Sequence, residues 1–324
     1  MAVGRRVLVS GMGGDLGSRV SALLEAEDWV GHLVGLDVDP PRRRLHRAEF
    51  HLVRATDHDR IVDLITTFNP HVVVHIAVWE PYSRATPALA RQLTDDAATS
   101  VLGAAAECRA LESVILRSGI EVYGRAHGAP TRPDESADIE PTSEYGRMLA
   151  AIEKTAASIG RRVGVTVGAV RSATVLGPHV PSPLGRLLRM PAVPFSVLAD
   201  PPFAVVEDTE AARAMVAAAR RRLAEPVNVV ANGAITALQA ARRGRRVPVP
   251  LIGPDWEIAR RVSGAFGAPI PDHIVETLHR GRLADNSRMA ELLGFRAAAT
   301  TVDVIDQLYA WPSVIRIPPR RAVA

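Results

Sequence analysis

The 324-residue sequence predicts an α/β fold: a doubly wound parallel sheet with helices on both faces and a smaller, discontinuous C-terminal lobe. Strand and helix patterns alternate from the first residues to about residue 170. Apolar runs such as Val72-Val73-Val74 are uninterrupted, as in parallel strands covered on both faces. A glycine cluster over residues 11–17 lies directly between the first strand pattern and the first helix pattern.

The elements follow in order. Arg6–Ser10 reads as a buried strand and Leu16–Glu27 as a helix, with apolar residues at helical spacing. Leu33–Asp37 is a second strand, closed by a turn at Pro40-Pro41, and Phe50–Val53 a third. A helix is expected over Asp59–Phe68, a strand over His71–Ala77 and a helix over Asp95–Cys108. Ser113–Leu116 then reads as a strand, Glu144–Ile159 as a helix and Gly164–Val170 as a strand. Prolines crowd residues 178–202 and 248–271, which reads as loops and short elements of the lobe. Helix and strand patterns return over 205–222 and 227–240, and two last helices are expected over 286–293 and 302–309. The expected division is a larger domain of residues 1–177, with returning segments at about 203–232 and 284–311. The smaller lobe takes 178–202 and 233–283.

Composition excludes several function classes. Hydrophobic residues make up 47% and charged residues 23%, so the chain can bury a core and is not a disordered tail. Of 39 basic residues, one is lysine, Lys154, so any chemistry needing a side-chain amine has one candidate. The arginine clusters at 42–44, 220–222, 242–246 and 320–321 are scattered and lack interleaved aromatics, which argues against nucleic acid as a partner. Cys108 is alone, which removes disulfide frameworks and zinc–thiolate sites. His71 and His75 lie about 13 Å apart along a strand, too far for one metal ion. No apolar run reaches membrane-spanning length and the N-terminus enters a strand at once, so the expectation is a cytoplasmic protein without a membrane partner.

The cluster Gly11-Met12-Gly13-Gly14-Asp15-Leu16-Gly17 carries the first chemistry. Glycines 11, 14 and 17 permit, in turn, a tight bend, close approach of backbone to a pyrophosphate, and close helix–strand packing. The helix start adds N–H groups for the phosphates. Asp37 ends the second strand twenty residues after Gly17, where a carboxylate accepts from a ribose 2′-hydroxyl and repels a 2′-phosphate. That predicts a Rossmann-type domain binding NAD in preference to NADP, with Arg42-Arg43-Arg44 the feature that speaks for NADP. The cofactor side comprises Gly11, Gly13, Gly14, Asp15, Leu16, Gly17 and Asp37, together with Asp57 beyond the third strand.

The GxxGxxG spacing, His75-Ile76-Ala77, Val122-Tyr123-Gly124 and Pro141–Gly146 together resemble the extended short-chain dehydrogenase/reductase family. So do Val170-Arg171, Gly177-Pro178, Phe203–Asp208 and Ser287–Phe295. Nucleotide-sugar epimerases and dehydratases are its best-known members. The resemblance covers nearly the whole chain and implies that Ala77 and Tyr145 line the cofactor and that Tyr145 is the acid/base. It also implies a lysine four residues beyond the tyrosine, where this chain has Leu149. Without that lysine an ordinary phenol, with pKa about 10, is ionised in about one molecule per thousand at neutral pH. Lys154, nine residues on, faces away.

Further departures follow the same pattern. The family serine position falls on Gly119, and strand alternation turns the adjacent Ser118 to the other face. The dehydratases' Asp-Glu pair reads Ile120-Glu121, which retains Glu121 as a second proton-handling candidate. Pro201-Pro202 replaces a diphosphate-gripping arginine, and the expected asparagine reads Asp95 or Asp96. Trp79, Glu80 and Tyr82 follow the fourth strand, at the end where such sheets bind ligands. The expectation is an NAD-binding, epimerase/dehydratase-like oxidoreductase of non-standard chemistry acting on a small molecule, a sugar derivative among the candidates. The alternative is a catalytically inactive NAD-binding sensor or scaffold. A homodimer through the helices around 95–108 and 144–159 is what the resemblance implies for assembly.

Overall fold

A computed structural model describes residues 4–252, 255–265 and 267–311. The chain runs β1 (Arg5–Ser10), α1 (Asp15–Leu24), β2 (Val30–Asp37), β3 (Glu49–Leu52), α2 (His58–Phe68), β4 (Val72–His75), α3 (Pro87–Ala105) and β5 (Ser113–Gly119). A 3₁₀ turn over Ile120–Tyr123 leads to α4 (Glu144–Val163), β6 (Thr166–Ser172), β7 (Thr174–Leu176), α5 (Pro183–Leu188) and β8 (Ala192–Ser196). Then come β9 (Val205–Glu207), α6 (Asp208–Arg221), β10 (Pro226–Val229), α7 (Ala237–Arg243) and β11 (Val247–Leu251). The helices α8 (Asp255–Ala265), α9 (Asp272–Arg280), α10 (Met289–Leu293) and α11 (Thr301–Ala310) complete it.

Seven strands form one parallel sheet in the order β10-β6-β5-β4-β1-β2-β3. The order reverses between β1 and β4, which opens a crevice at their C-terminal ends where open α/β sheets take ligands. Two small parallel pairs, β8 with β11 and β7 with β9, lie outside it.

The differences from the sequence-based elements have local causes. The third helix begins at Pro87 rather than 95, because Thr86 accepts the Leu89 N–H as an N-cap and proline fits the first helical turn. The run His71–Ala77 shortens to Val72–His75, since Ile76 and Ala77 leave the ladder to wall a cavity. In the other direction, β5 continues past Leu116 to Gly119 and pairs with β6 throughout.

Apolar side chains form two principal cores. The larger covers both faces of the sheet, from Val7 and Val9 to Ile115, Leu149 and Val229. The second gathers Leu184, Leu188, Phe203, Trp256, Ile274 and Leu278 in the smaller lobe. Met289 and Leu293 of α10 belong to the first core, whereas Val304, Ile305 and Leu308 of α11 turn their stripe into the second. The segment 284–311 therefore contributes side chains to both cores.

Between the sheet and α4, Arg171 and Glu153 are buried together, with Nη2 2.7 Å from Oε2. Ser118 Oγ donates to Glu153, Arg171 donates to Tyr123 Oη (2.9 Å), and Tyr123 donates to Asn228 (2.8 Å). Ser118 thus points where strand alternation sends it. Lys154, one residue beyond Glu153, is exposed on α4. Among the described residues no helix is long and apolar enough to cross a membrane.

Candidate functional site

The crevice between β1 and β4 holds a cavity of about 250 Å³. Gly11, Gly14, Asp15, Leu16, Gly17, Asp37 and Ala77 line one end of it. Gly11 has φ +83°, and a Cβ there would come within 2.6 Å of the Ala77 nitrogen. At Gly17 a Cβ would overlap the Gly11 carbonyl oxygen, so the third glycine is required for α1 to sit against the loop. Gly14 is different: only the Gly11 oxygen lies near its missing Cβ, at 3.6 Å. It is the N-cap of α1 with no side-chain cap, which leaves helix N–H groups available to an anion.

Asp37 is held in place by backbone. Its Oδ2 accepts from Gly13 N at 2.8 Å and its Oδ1 from Val38 N at 2.6 Å and Asp39 N at 3.2 Å. Burial pushes its pKa up, and these N–H groups pull against that. Gly13 contributes through its N–H to Asp37 and is not itself on the cavity wall. The glycine bend, the open helix terminus and the carboxylate at the end of β2 fit, respectively, the backbone approach, pyrophosphate and ribose of a dinucleotide.

Asp15 has a role that spacing does not show. Its carboxylate meets Arg84 at 2.7 Å and Arg42 at 3.7 Å, and Arg84 also reaches within 3.9 Å of Asp39. Two guanidinium groups therefore offset a carboxylate that would otherwise repel phosphate at the helix terminus. Asp57 does not line this cavity; it is exposed just before α2 and accepts from Arg54 N at 3.2 Å.

Trp79, Glu80 and Arg117 line the rest of the cavity, while Tyr82 does not. Tyr145 is not on the wall either. It is buried, with its ring 4.8 Å from that of His273. Burial pushes the Tyr145 phenol far above its ordinary pKa, and the Arg117 guanidinium beside it offsets part of this. Glu121 is also buried; desolvation raises its pKa, with Arg282 and His273 acting the other way. A Cβ at Gly119 would overlap Glu121 Oε2 and approach Leu149 Cδ1 to 3.1 Å. The Glu121 carboxylate therefore fills the space a serine side chain would need, and Leu149, fully buried, closes it from α4.

His273, from the first turn of α9, completes the cluster. Its Nε2 is 3.1 Å from Glu80 Oε1, and its Nδ1 is 3.6 Å from Asp272 Oδ1. Burial disfavours the imidazolium, but Asp272 and Glu80 outweigh that and hold its pKa up at about 9. Sequence reasoning missed Arg117, His273 and Asp272. Arg117 had a signal, as a charge directly after the apolar run Val114–Leu116. His273 had none, because Glu80 lies 193 residues away in the chain. Among the described residues no group of three or more His, Cys, Asp or Glu side chains could hold a metal ion.

A model of the NAD dependent epimerase/dehydratase family matches residues 7–229. The uncharacterized protein Rv0501 of Mycobacterium tuberculosis is 29% identical over 316 residues, covering 94% of this chain and 83% of its own length. The uncharacterized protein Mb0513 of Mycobacterium bovis matches to the same extent. UDP-glucose 4-epimerase of Thermotoga maritima, solved with UDP-glucose, superposes with a TM-score of 0.72 at 17% identity, over 94% of this chain and 98% of that one. MoeE5, solved with UDP-glucuronic acid and NAD, gives a TM-score of 0.72 at 22% identity over the same shares. At such identities the likeness is one of fold.

Proposed function

The chain belongs to the NAD dependent epimerase/dehydratase family, and from that membership we propose that it is an NAD-binding oxidoreductase acting on a small molecule. The observation that supports this most is a single cavity walled at one end by the Gly11–Gly17 loop with Asp37 and at the other by Glu80 and Arg117. The glycine loop and the start of α1 would take the pyrophosphate, and Asp37 the ribose hydroxyls, which favours NAD over NADP. Bound there, the dinucleotide would supply a hydride acceptor. Tyr145 and Glu121 are the proton-handling groups of this proposal. Burial keeps Tyr145 in its neutral form, so behind the cavity wall it is a hydrogen-bond donor within the buried cluster rather than a ready base. Arg117, arriving from β5, provides the fixed cation that Leu149 does not.

MoeE5 and the Thermotoga epimerase were solved with UDP-sugars, which makes UDP-glucose and UDP-glucuronic acid the first substrate probes. Titration calorimetry with NAD and NADP is expected to show tighter binding of NAD. Asp37→Ala should weaken NAD by roughly tenfold or more, the range of a charged hydrogen bond. Failure of both nucleotides to bind would overturn the proposal. Binding of NAD without hydride transfer from any probe would instead support the sensor or scaffold. The proposal also has two copies pairing through α3 and α4; light scattering at the mass of one chain would exclude that.

A further inference from the structure

We infer that Glu80 exchanges a proton with the substrate hydroxyl and that His273, linking the cavity wall to the buried cluster behind it, holds the Glu80 carboxyl in position. The inference rests on the proposed NAD-linked reaction for its hydride acceptor, and it adds the group through which a proton enters and leaves.

The need arises from geometry. Tyr145 and Glu121 are buried and neither lines the cavity, whereas Glu80 does, from the loop at the C-terminal end of β4. The Glu80 side chain retains 14% exposure, and its Oε1 contacts His273 Nε2 at 3.1 Å. The His273 side chain is 1% exposed, so its exchange with solvent runs through its neighbours. Its Nδ1 has no hydrogen-bond partner by distance and faces Asp272 at 3.6 Å. Asp272 Oδ2 in turn accepts from Glu144 N at 2.6 Å, at the start of the helix that carries Tyr145. The chain Asp272–His273–Glu80 therefore runs from the base of α4 to the cavity wall.

Charged groups face this chain from every side. Glu121 approaches His273 from the 3₁₀ turn after β5. Arg282, paired with Glu276 of α9, lies beside Glu121. Arg186 of α5 lies near Glu80, and Arg117 near Tyr145. Three carboxylates around one buried imidazole hold a proton on it against the cost of burial. A clasp whose only task is to join the two lobes would not require one carboxylate to stand on the wall of the cavity.

The step balances with the groups named. A secondary hydroxyl of the substrate gives its proton to a Glu80 carboxylate oxygen. Bound NAD would accept the hydrogen on the same carbon with its electron pair, leaving that carbon as a carbonyl. In the return direction Glu80 gives the proton back to the carbonyl oxygen as the carbon regains hydrogen. His273, protonated throughout, holds the Glu80 carboxyl in place through Nε2.

The test uses the full chain with ¹⁵N-labelled histidine. Nuclear magnetic resonance titration should place the His273 midpoint near 9, and Glu80→Gln should lower it by roughly one unit or more. An unchanged midpoint in Glu80→Gln would overturn the pair. Calorimetry with NAD, near pH 9 in two buffers of different ionisation heat, supplies the second readout. Filling the cavity shields Glu80 from water and tightens its hold on the His273 proton. Wild-type protein should take up a fraction of a proton on binding NAD, and Glu80→Gln none. Binding with equal proton counts in the two proteins overturns the link to the cavity alone, whereas no binding of NAD overturns the cofactor proposal and this role together.

Discussion

Position 119 is shaped by what surrounds it. A side chain there would collide with the Glu121 carboxylate and crowd Leu149, so Gly119→Ser should displace Glu121 and cost about 1–3 kcal/mol by overpacking, read as a lowered urea midpoint. Leu149→Ala should cost about 2–5 kcal/mol, as expected of a fully buried leucine. His273 makes stability pH-dependent. Its folded pKa of about 9 lies above the ordinary 6.5, so its contribution is complete below about pH 6.5 and lost as pH rises through 9. Asp272, drawn down from 3.8 to about 2 by His273 and the Glu144 N–H despite burial, contributes above 3.8 and is lost as pH falls through 2. Urea midpoints measured from pH 6 to about 9.5 should therefore fall in the wild type and stay nearly level in His273→Gln.

Between elements, the Arg171–Glu153 pair ties β6 to α4, and through Ser118, Tyr123 and Asn228 it reaches β5 and β10. Removing one partner strands a buried charge, so Arg171→Met should cost about 3–5 kcal/mol and lower the melting temperature, while Arg171→Met with Glu153→Leu should recover part of the loss. Elements differ in how much of this the sequence discloses. The glycine loop is legible because a strand, a bend and a helix start lie within one short stretch and each constrains its neighbours. The start of α3 was misread because Pro87 serves equally to break a helix and to begin one. The contact between Glu80 and His273 joins a loop of the large sheet to a helix of the smaller lobe, and no periodicity encodes which residue faces which across such a distance.

At the scale of the molecule, alternation of strands and helices was enough to foresee the parallel sheet, while the proline-rich stretches foretold a second lobe without its packing. Phe203, fully buried at the heart of the second core, should cost about 3–5 kcal/mol when changed to Ala, yet leave NAD affinity close to wild type in the protein that remains folded. Comparable loss of affinity and stability would mean that the two cores act as one. Exposed apolar side chains occur on both lobes, with Leu198, Ile252, Ile258 and Val262 on the smaller one. On α3 and α4 the solvent face carries Arg91, Asp95, Arg147 and Lys154 together with the exposed apolar Leu89 and Val163. Because Lys154 is the chain's only lysine and is exposed, an amine-reactive dye would mark it alone among the side chains, besides the terminal α-amine. Energy transfer between differently coloured preparations, compared with Lys154→Arg protein that carries only the terminal label, would then read out pairing along α4.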